Sequence, residues 1–228
     1  MKHVFKTATY LRLSFLISFL RTVVPLLFSF PAFSQTPTIL PERERARFVD
    51  EVLEDRFTNL LPQLMRREGI DMWVIISREY NEDPVLKTML PANWLSARRR
   101  TIMVFTDTGK EGVDARSDGS VERLAIARYD VGNLLKGAWD IDVRPNQWDA
   151  LVDIIQKRNP KKIGLNFSDN YAHADGLTFT EQKEFMAKLP ADFQKRVVSA
   201  ERLAVGWLES RTAKEMAVYP LICRLSHQ

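Results

Sequence analysis

The sequence is poor in the residues that most often do chemistry. It holds one cysteine, Cys223, so no disulfide can close within the chain and no thiolate metal site can be built from it. Of three histidines, His3 and His227 lie near the two ends of the sequence, which leaves His173 alone in the middle. No Gly-x-Ser-x-Gly elbow, His-Glu-x-x-His helix or Gly-x-Gly-x-x-Gly turn occurs. Gly109-Lys110 lacks both the earlier glycine and the following hydroxyl of a phosphate loop. Repeats and low-complexity stretches are also missing.

Acidic residues are absent from residues 1–34, where Lys2, Lys6, Arg12 and Arg21 account for the whole formal charge of +4. Removing those four from the 33 basic residues leaves 29 against 29 acidic ones. A nucleic-acid footprint needs a basic excess on the folded part, and the net charge supplies none, so no nucleic-acid partner is expected. Residues 1–34 have a basic start, an apolar run from Leu11 to Phe30, and small residues at Ala32 and Ser34. That tripartite order predicts a secretory signal with cleavage near Gln35, hence an exported protein, periplasmic or extracellular. The alternative is an uncleaved anchor. Arg21 and Pro25 interrupt the run, so no unbroken span of about 20 apolar residues exists, and no stable membrane span is expected after cleavage.

What the sequence does have is a chain rich enough in apolar residues, 45%, to bury a proper core. Residues 35–46 read as a linker and 47–208 as one domain, although the pattern already turns helical and charged from Glu42. Phe48, Val52, Leu53, Phe57, Leu60, Leu61, Leu64 and Met65 recur at spacings of three and four, a helix face that lies on a sheet. Pro62 predicts a break or kink. Gly69 ends this helix, and Met72 to Ser77 is an unbroken apolar run that fits a strand covered on both faces. Further strands are expected at Thr101–Thr106, Val121–Tyr129, Trp139–Val143, Lys162–Phe167 and Val197–Val198. Helices are expected after Asn146, after Thr178 with Glu181 as a capping box, over Ala200–Leu208, and after Thr212 with Glu215 as a second box. Strand, helix, strand in succession implies a crossover with parallel strands, and Pro220 predicts a kink in the last helix. The fold class is α/β, a mixed β-sheet flanked by helices.

Ligands in open α/β sheets sit beyond the carboxyl ends of central strands, so the polar, aromatic segment from Tyr80 to Arg100 is the candidate edge. Trp94 is its one tryptophan, and Arg98 opens a triplet, Arg98-Arg99-Arg100. Three adjacent arginines suit either an anionic ligand or a solvated strand entrance. Asp140 and Asp142, two apart on an expected strand, would share a face as half of a metal site or as solvated edge residues. His173, with Asp169 and Asp175 nearby, is either the centre of a small hydrolase or part of a polar loop. Trp73, Trp139, Trp148 and Trp207 read as core or interface.

One resemblance goes further than these residues do. Leu64-Met65-x-x-Glu68-Gly69-Ile70-Asp71-x-Trp73, then Lys162-Ile163-Gly164-Leu165-Asn166-x-Ser168, and the exit Glu209-Ser210-Arg211-Thr212-x-x-Glu215-Met216 resemble the N-terminal domain of the creatinase, prolidase and Xaa-Pro aminopeptidase family. The resemblance covers about Arg47 to the last residue. It implies a ribonuclease-H-like topology, with 209–228 as the start, the first helix, of a catalytic pita-bread domain. Asn81 departs from the family pattern, being followed by Glu82-Asp83-Pro84-Val85, so no substrate preference carries over. The family's metal site takes two Asp, one His and two Glu from the catalytic domain, and sixteen residues follow Thr212, none matching those ligands.

The resemblance therefore implies a non-catalytic front half with no catalytic residues, metal or cofactor of its own. The divalent metal pair is expected only in the catalytic domain. That domain, in cis or on a neighbouring subunit, is the implied partner, the full-length form is expected to be a homo-oligomer, and Trp94 and Arg98 are the implied substrate or partner rim. A stand-alone binding or assembly module, and a hydrolase centred on His173, are the rival readings.

Overall fold

A computed structural model describes residues 39–109 and 121–227. The expected signal at 1–34 and most of the linker lie outside the described residues, as does most of the connection after Thr108.

Helix α1 spans Glu42–Asp55, with Glu42 and Glu44 in its first turn, where carboxylates complement the helix dipole. The helix thus begins at Glu42, where the sequence pattern turns helical and charged. At Arg56–Leu60 the helix widens into a π turn, with Leu61 N–H donating to the Arg56 carbonyl, and α2 continues over Leu61–Glu68. The wide turn arrives just before Pro62, which has no N–H and whose ring crowds the carbonyl four residues back in a regular helix. The expected break is thus a π bulge. Gly69, at φ 62°, closes α2 in the left-handed region that glycine enters without Cβ strain.

Strand β1, Met72–Arg78, lies at the middle of a six-stranded sheet of order β4-β3-β2-β1-β5-β6. The other strands are β2 Arg100–Asp107, β3 Val121–Ala125, β4 Lys136–Gly137, β5 Ile163–Leu165 and β6 Val197–Ser199. β2 runs opposite to the other five, pairing antiparallel with β1 and β3, while β1 with β5, β5 with β6 and β3 with β4 are parallel. The helices are α3 Pro84–Lys87, α4 Gln147–Arg158, α5 Phe179–Lys188, α6 Ala191–Gln194, α7 Glu201–Glu209 and α8 Ala213–Ser226, with a 3-10 turn at Ala172–Ala174.

Alternation along β1 divides the core into two layers. Trp73 and Ile75, with Met103 and Phe105 of β2, pack beneath Phe57, Leu61, Leu64 and Met65 and beneath Trp207 of α7. Met72, Val74 and Ile76, with Ile102 and Val104, pack against Trp148, Leu151 and Ile155 of α4 and Phe185 of α5. A strand covered on both faces is apolar throughout, which is why Met72 to Ile76 read as an unbroken run.

Two strand boundaries need correction. β3 stops at Ala125, not Tyr129, because the chain turns out of the sheet: Asp130 accepts from the Gly137 N–H at 2.8 Å and from Lys136 Nζ at 2.9 Å. Trp139–Val143 is a turn, not a strand. Asp140 accepts from Asp142 N at 3.0 Å through its side chain and from Arg144 N at 2.9 Å through its carbonyl, so local bonds replace a ladder. Asp140 and Asp142 therefore do not share a strand face.

Candidate functional site

Beyond the carboxyl ends of β1 and β3 lies an open cleft of about 840 Å³. The end of β1 into Tyr80, the approach Arg98–Arg100 to β2 and the exit Ile126–Tyr129 from β3 line it, together with Trp139, Ile141, Gln147 and Glu181. The ladder holds the first two together past the strands, with Glu79 N–H donating to the Arg99 carbonyl at 2.8 Å and Arg99 N–H to Glu79 Oε2 at 3.1 Å. Tyr80 and Arg99 sit at φ 68° and 48°, a region that side-chain-bearing residues seldom occupy. Strain of this kind, of order 1–3 kcal/mol per residue, collects where geometry serves a site.

Five arginines line the cleft, Arg78, Arg98, Arg99, Arg100 and Arg128, against two carboxylates, Glu79 and Glu181. Glu181 is 1% exposed. Its side chain does not complete the capping box expected at Thr178, which accepts only from Glu181 N at 3.4 Å. The carboxylate is instead diverted to Arg100 Nε at 2.6 Å, with Arg78 Nε 3.3 Å from its other oxygen. That other oxygen, Oε1, makes no hydrogen bond among the described residues. Arg100 also reaches Glu184 at 2.7 Å and lies 4.2 Å over the Trp148 ring, so two acids and an indole fix it. Arg98, Arg99 and Arg128 make no ion pair among the described residues.

The two proposed rim residues do meet. Arg98 stacks over Trp94 with its guanidinium carbon 5.0 Å from the ring centroid, and Trp94 lies 6.2 Å from Tyr129, a cleft residue. Arg98 lines the cleft itself; Trp94 is half-buried behind it against the first core layer. Arg78, Arg128 and Tyr129 were not singled out by sequence reasoning, which placed Tyr80 at the start of the candidate edge, Trp139 in core or interface and Glu181 in a capping box. The only sequence signal for them is position, each lying just past a strand end or in the first turn of a helix. His173 is exposed on the 3-10 turn and does not line the cleft. Asp175 accepts instead from Ser168 N at 3.2 Å. Among the described residues, no three His, Cys, Asp or Glu side chains are grouped closely enough to hold a metal ion.

A second polar constellation lies inside. Trp73 Nε1 donates to Asn166 Oδ1 at 2.8 Å, and Asn166 Nδ2 donates to Asp83 Oδ2 at 2.9 Å. Asp83 Oδ1 caps α3 by accepting from Val85 N at 2.7 Å and Leu86 N at 3.1 Å, while Asp83 N donates to Ser77 Oγ at 2.9 Å. Burial pushes the Asp83 carboxyl above the usual carboxylate range, against the pull of these donors. Every polar group here has a partner, so the network ties the carboxyl ends of β1 and β5 to the first turn of α3 and steadies the chain leaving β1 for the cleft.

At the far side of the first helical layer, Arg56 projects from the π turn and is almost fully buried. It donates to both Glu215 oxygens, at 3.0 and 2.8 Å, to the Ser210 carbonyl at 2.9 Å and to the Trp207 carbonyl, and lies 4.2 Å over the Trp207 ring. Thr212 and Glu215 complete the capping box that the sequence predicted for α8. The residues of the exit motif are thus gripped by one buried guanidinium. Beyond that turn α8 buries no side chain; it runs as one helix through Pro220, and Met216, Tyr219 and Ile222 are exposed. No model of a known protein family matches the sequence, and no curated protein matches it.

Proposed function

We propose that the chain is the amino-terminal, non-catalytic part of an exported Xaa-Pro aminopeptidase-like metallopeptidase. In this reading the domain is of the ribonuclease-H-like, creatinase N-terminal type. The order β3-β2-β1-β5-β6, with β2 alone reversed, supports it. The observation that carries the reading is α8. Its first turn is locked to the domain by Arg56, yet further along the helix Met216, Tyr219 and Ile222 are 52%, 43% and 51% exposed. A helix so anchored and so bare fits the entrance to a further domain, here the catalytic pita-bread domain, in cis or across a subunit contact in a homo-oligomer.

The catalytic domain would hold the divalent metal pair that activates water for attack on the bond before proline. The part played by this chain is to cover or flank that centre, with Trp94 and Arg98 at the rim. Export rests on the sequence of residues 1–34; among the described residues no helix is long and apolar enough to cross a membrane. The test is the gene itself. The reading predicts a frame continuing past codon 228 into two Asp, one His and two Glu at metal-ligand positions. A stop directly after that codon, with a monodisperse product, favours the stand-alone binding module, for which the arginine-lined cleft is the specific support. The hydrolase centred on His173 has no comparable support, since that imidazole is exposed and outside the cleft.

A further inference from the structure

The geometry points to the arginine-lined cleft as a binding site, in this chain's own right, for a nucleotide: a ligand with two or more phosphate charges and a planar ring. It does not rest on the peptidase reading. Outside residues 1–34 the chain carries equal numbers of basic and acidic residues, yet five arginines meet two carboxylates here. The acids do not cancel the excess. Glu181 is held between Arg78 and Arg100, and Glu79, which accepts from the Arg99 N–H, can offset only one of the three charges on Arg98, Arg99 and Arg128, so these three keep a net positive charge. Guanidinium groups bind phosphate bidentately, and three of them lining one cleft suit a ligand with more than one charge.

The remaining wall is aromatic. Tyr80 is 92% exposed and Tyr129 is 49% exposed, and Trp139, partly buried against the second core layer, lines the cleft with its indole N–H committed to the Arg144 carbonyl at 2.7 Å. Exposed rings beside unpaired guanidinia suit a base with its phosphates better than an inorganic ion. The left-handed backbone at Tyr80 and Arg99 sets one aromatic and one cationic residue on two of the segments that line the cleft.

The test is calorimetric titration of the purified protein with ADP and with pyrophosphate, without divalent metal, at one fixed ionic strength. Saturable binding of one ADP is expected, with pyrophosphate at least about tenfold weaker for want of the ring. Arg128→Ala and Arg98→Ala, at exposed side chains, should each weaken ADP about tenfold or more, as loss of a charge-assisted bond does. Arg128→Lys should recover part of the loss, and Arg45→Ala, on exposed α1 surface, should change nothing. Absence of saturable ADP binding, equal affinity for pyrophosphate, or undiminished binding in the double variant would each overturn the proposal. So would tighter binding of a single-stranded oligothymidylate than of ADP, which would assign the cleft to a polymer. None of these outcomes bears on whether a catalytic domain follows α8.

Discussion

Trp73 and Asn166, 93 positions apart, are joined by a buried hydrogen bond of 2.8 Å from the indole N–H to the amide oxygen. Asn166 passes the connection on to Asp83, so it links an indole in the core to the cap of α3. Asn166→Ala should leave the Trp73 indole N–H and Asp83 Oδ2 without a partner, at about 1–3 kcal/mol for each buried group. Trp73→Ala should cost about 3–5 kcal/mol through the cavity and lost burial. The two losses should fall short of additive in the double variant, because they share one bond. Denaturant midpoints measure all three, and an unchanged midpoint for either single variant would mean the central strand is misplaced.

Asp83 gives the network a pH dependence of defined sign. Its carboxyl is raised in the folded state by burial, so the folded protein holds this proton more tightly than the unfolded chain does. The associated stability is fully present below the ordinary aspartate range, about pH 4, and is lost as pH rises through the raised value. Asp83→Asn removes that titration but sets two amide groups against each other at Asn166. It should therefore be less stable than the native protein at low pH, with the gap narrowing as pH rises. Thermal melts from acid to neutral pH check this, and a gap that widens would reverse the assignment.

Arg56 should be the tie that holds α8. Arg56→Met removes one partner of a pair that is nearly buried on the Arg56 side and mostly buried on the Glu215 side. Breaking such a pair costs about 3–5 kcal/mol, and the carbonyls of Trp207 and Ser210 lose their donor as well. Hydrogen exchange should speed up through Ala213–Ser226 before it does in β1. Even in the native protein that helix should exchange faster than any buried element, and its removal should improve solubility. Slow exchange throughout α8 in the monomer would show it needs no further partner.

For export, the mature amino terminus should lie at or near Gln35. Edman degradation or peptide mapping of the protein recovered outside the cytoplasm reads it directly. A secreted protein that still begins at Met1 would rule out cleavage.

The sheet core was legible because burial on both faces leaves an apolar run, and the helices because their apolar spacing and caps are local. β4 was misplaced because two hydrogen-bonded residues carry no pattern, while Trp139-Asp140-Ile141-Asp142-Val143 alternates like a strand and is bent by its own Asp140 side chain. The rim was found only in part. Arg98 announces itself within a triplet, whereas Arg78, Arg128 and Glu181 come from three distant segments that only the strand ends bring together. Glu181 misled for a physical reason, since a carboxylate in the first turn of a helix reads as a cap until an arginine at the start of β2 claims it. The Arg56 anchor was hidden in the same way, 159 positions from Glu215.

The central claim, that catalysis does not reside in this chain, is tested by incubating the purified protein with manganese, cobalt or zinc and an Xaa-Pro peptide. An authentic Xaa-Pro aminopeptidase run alongside serves as the positive control. The account predicts no release of the first residue with any of the three metals. Metal-dependent release that disappears in His173→Ala would contradict it and place the active site on the loop after β5.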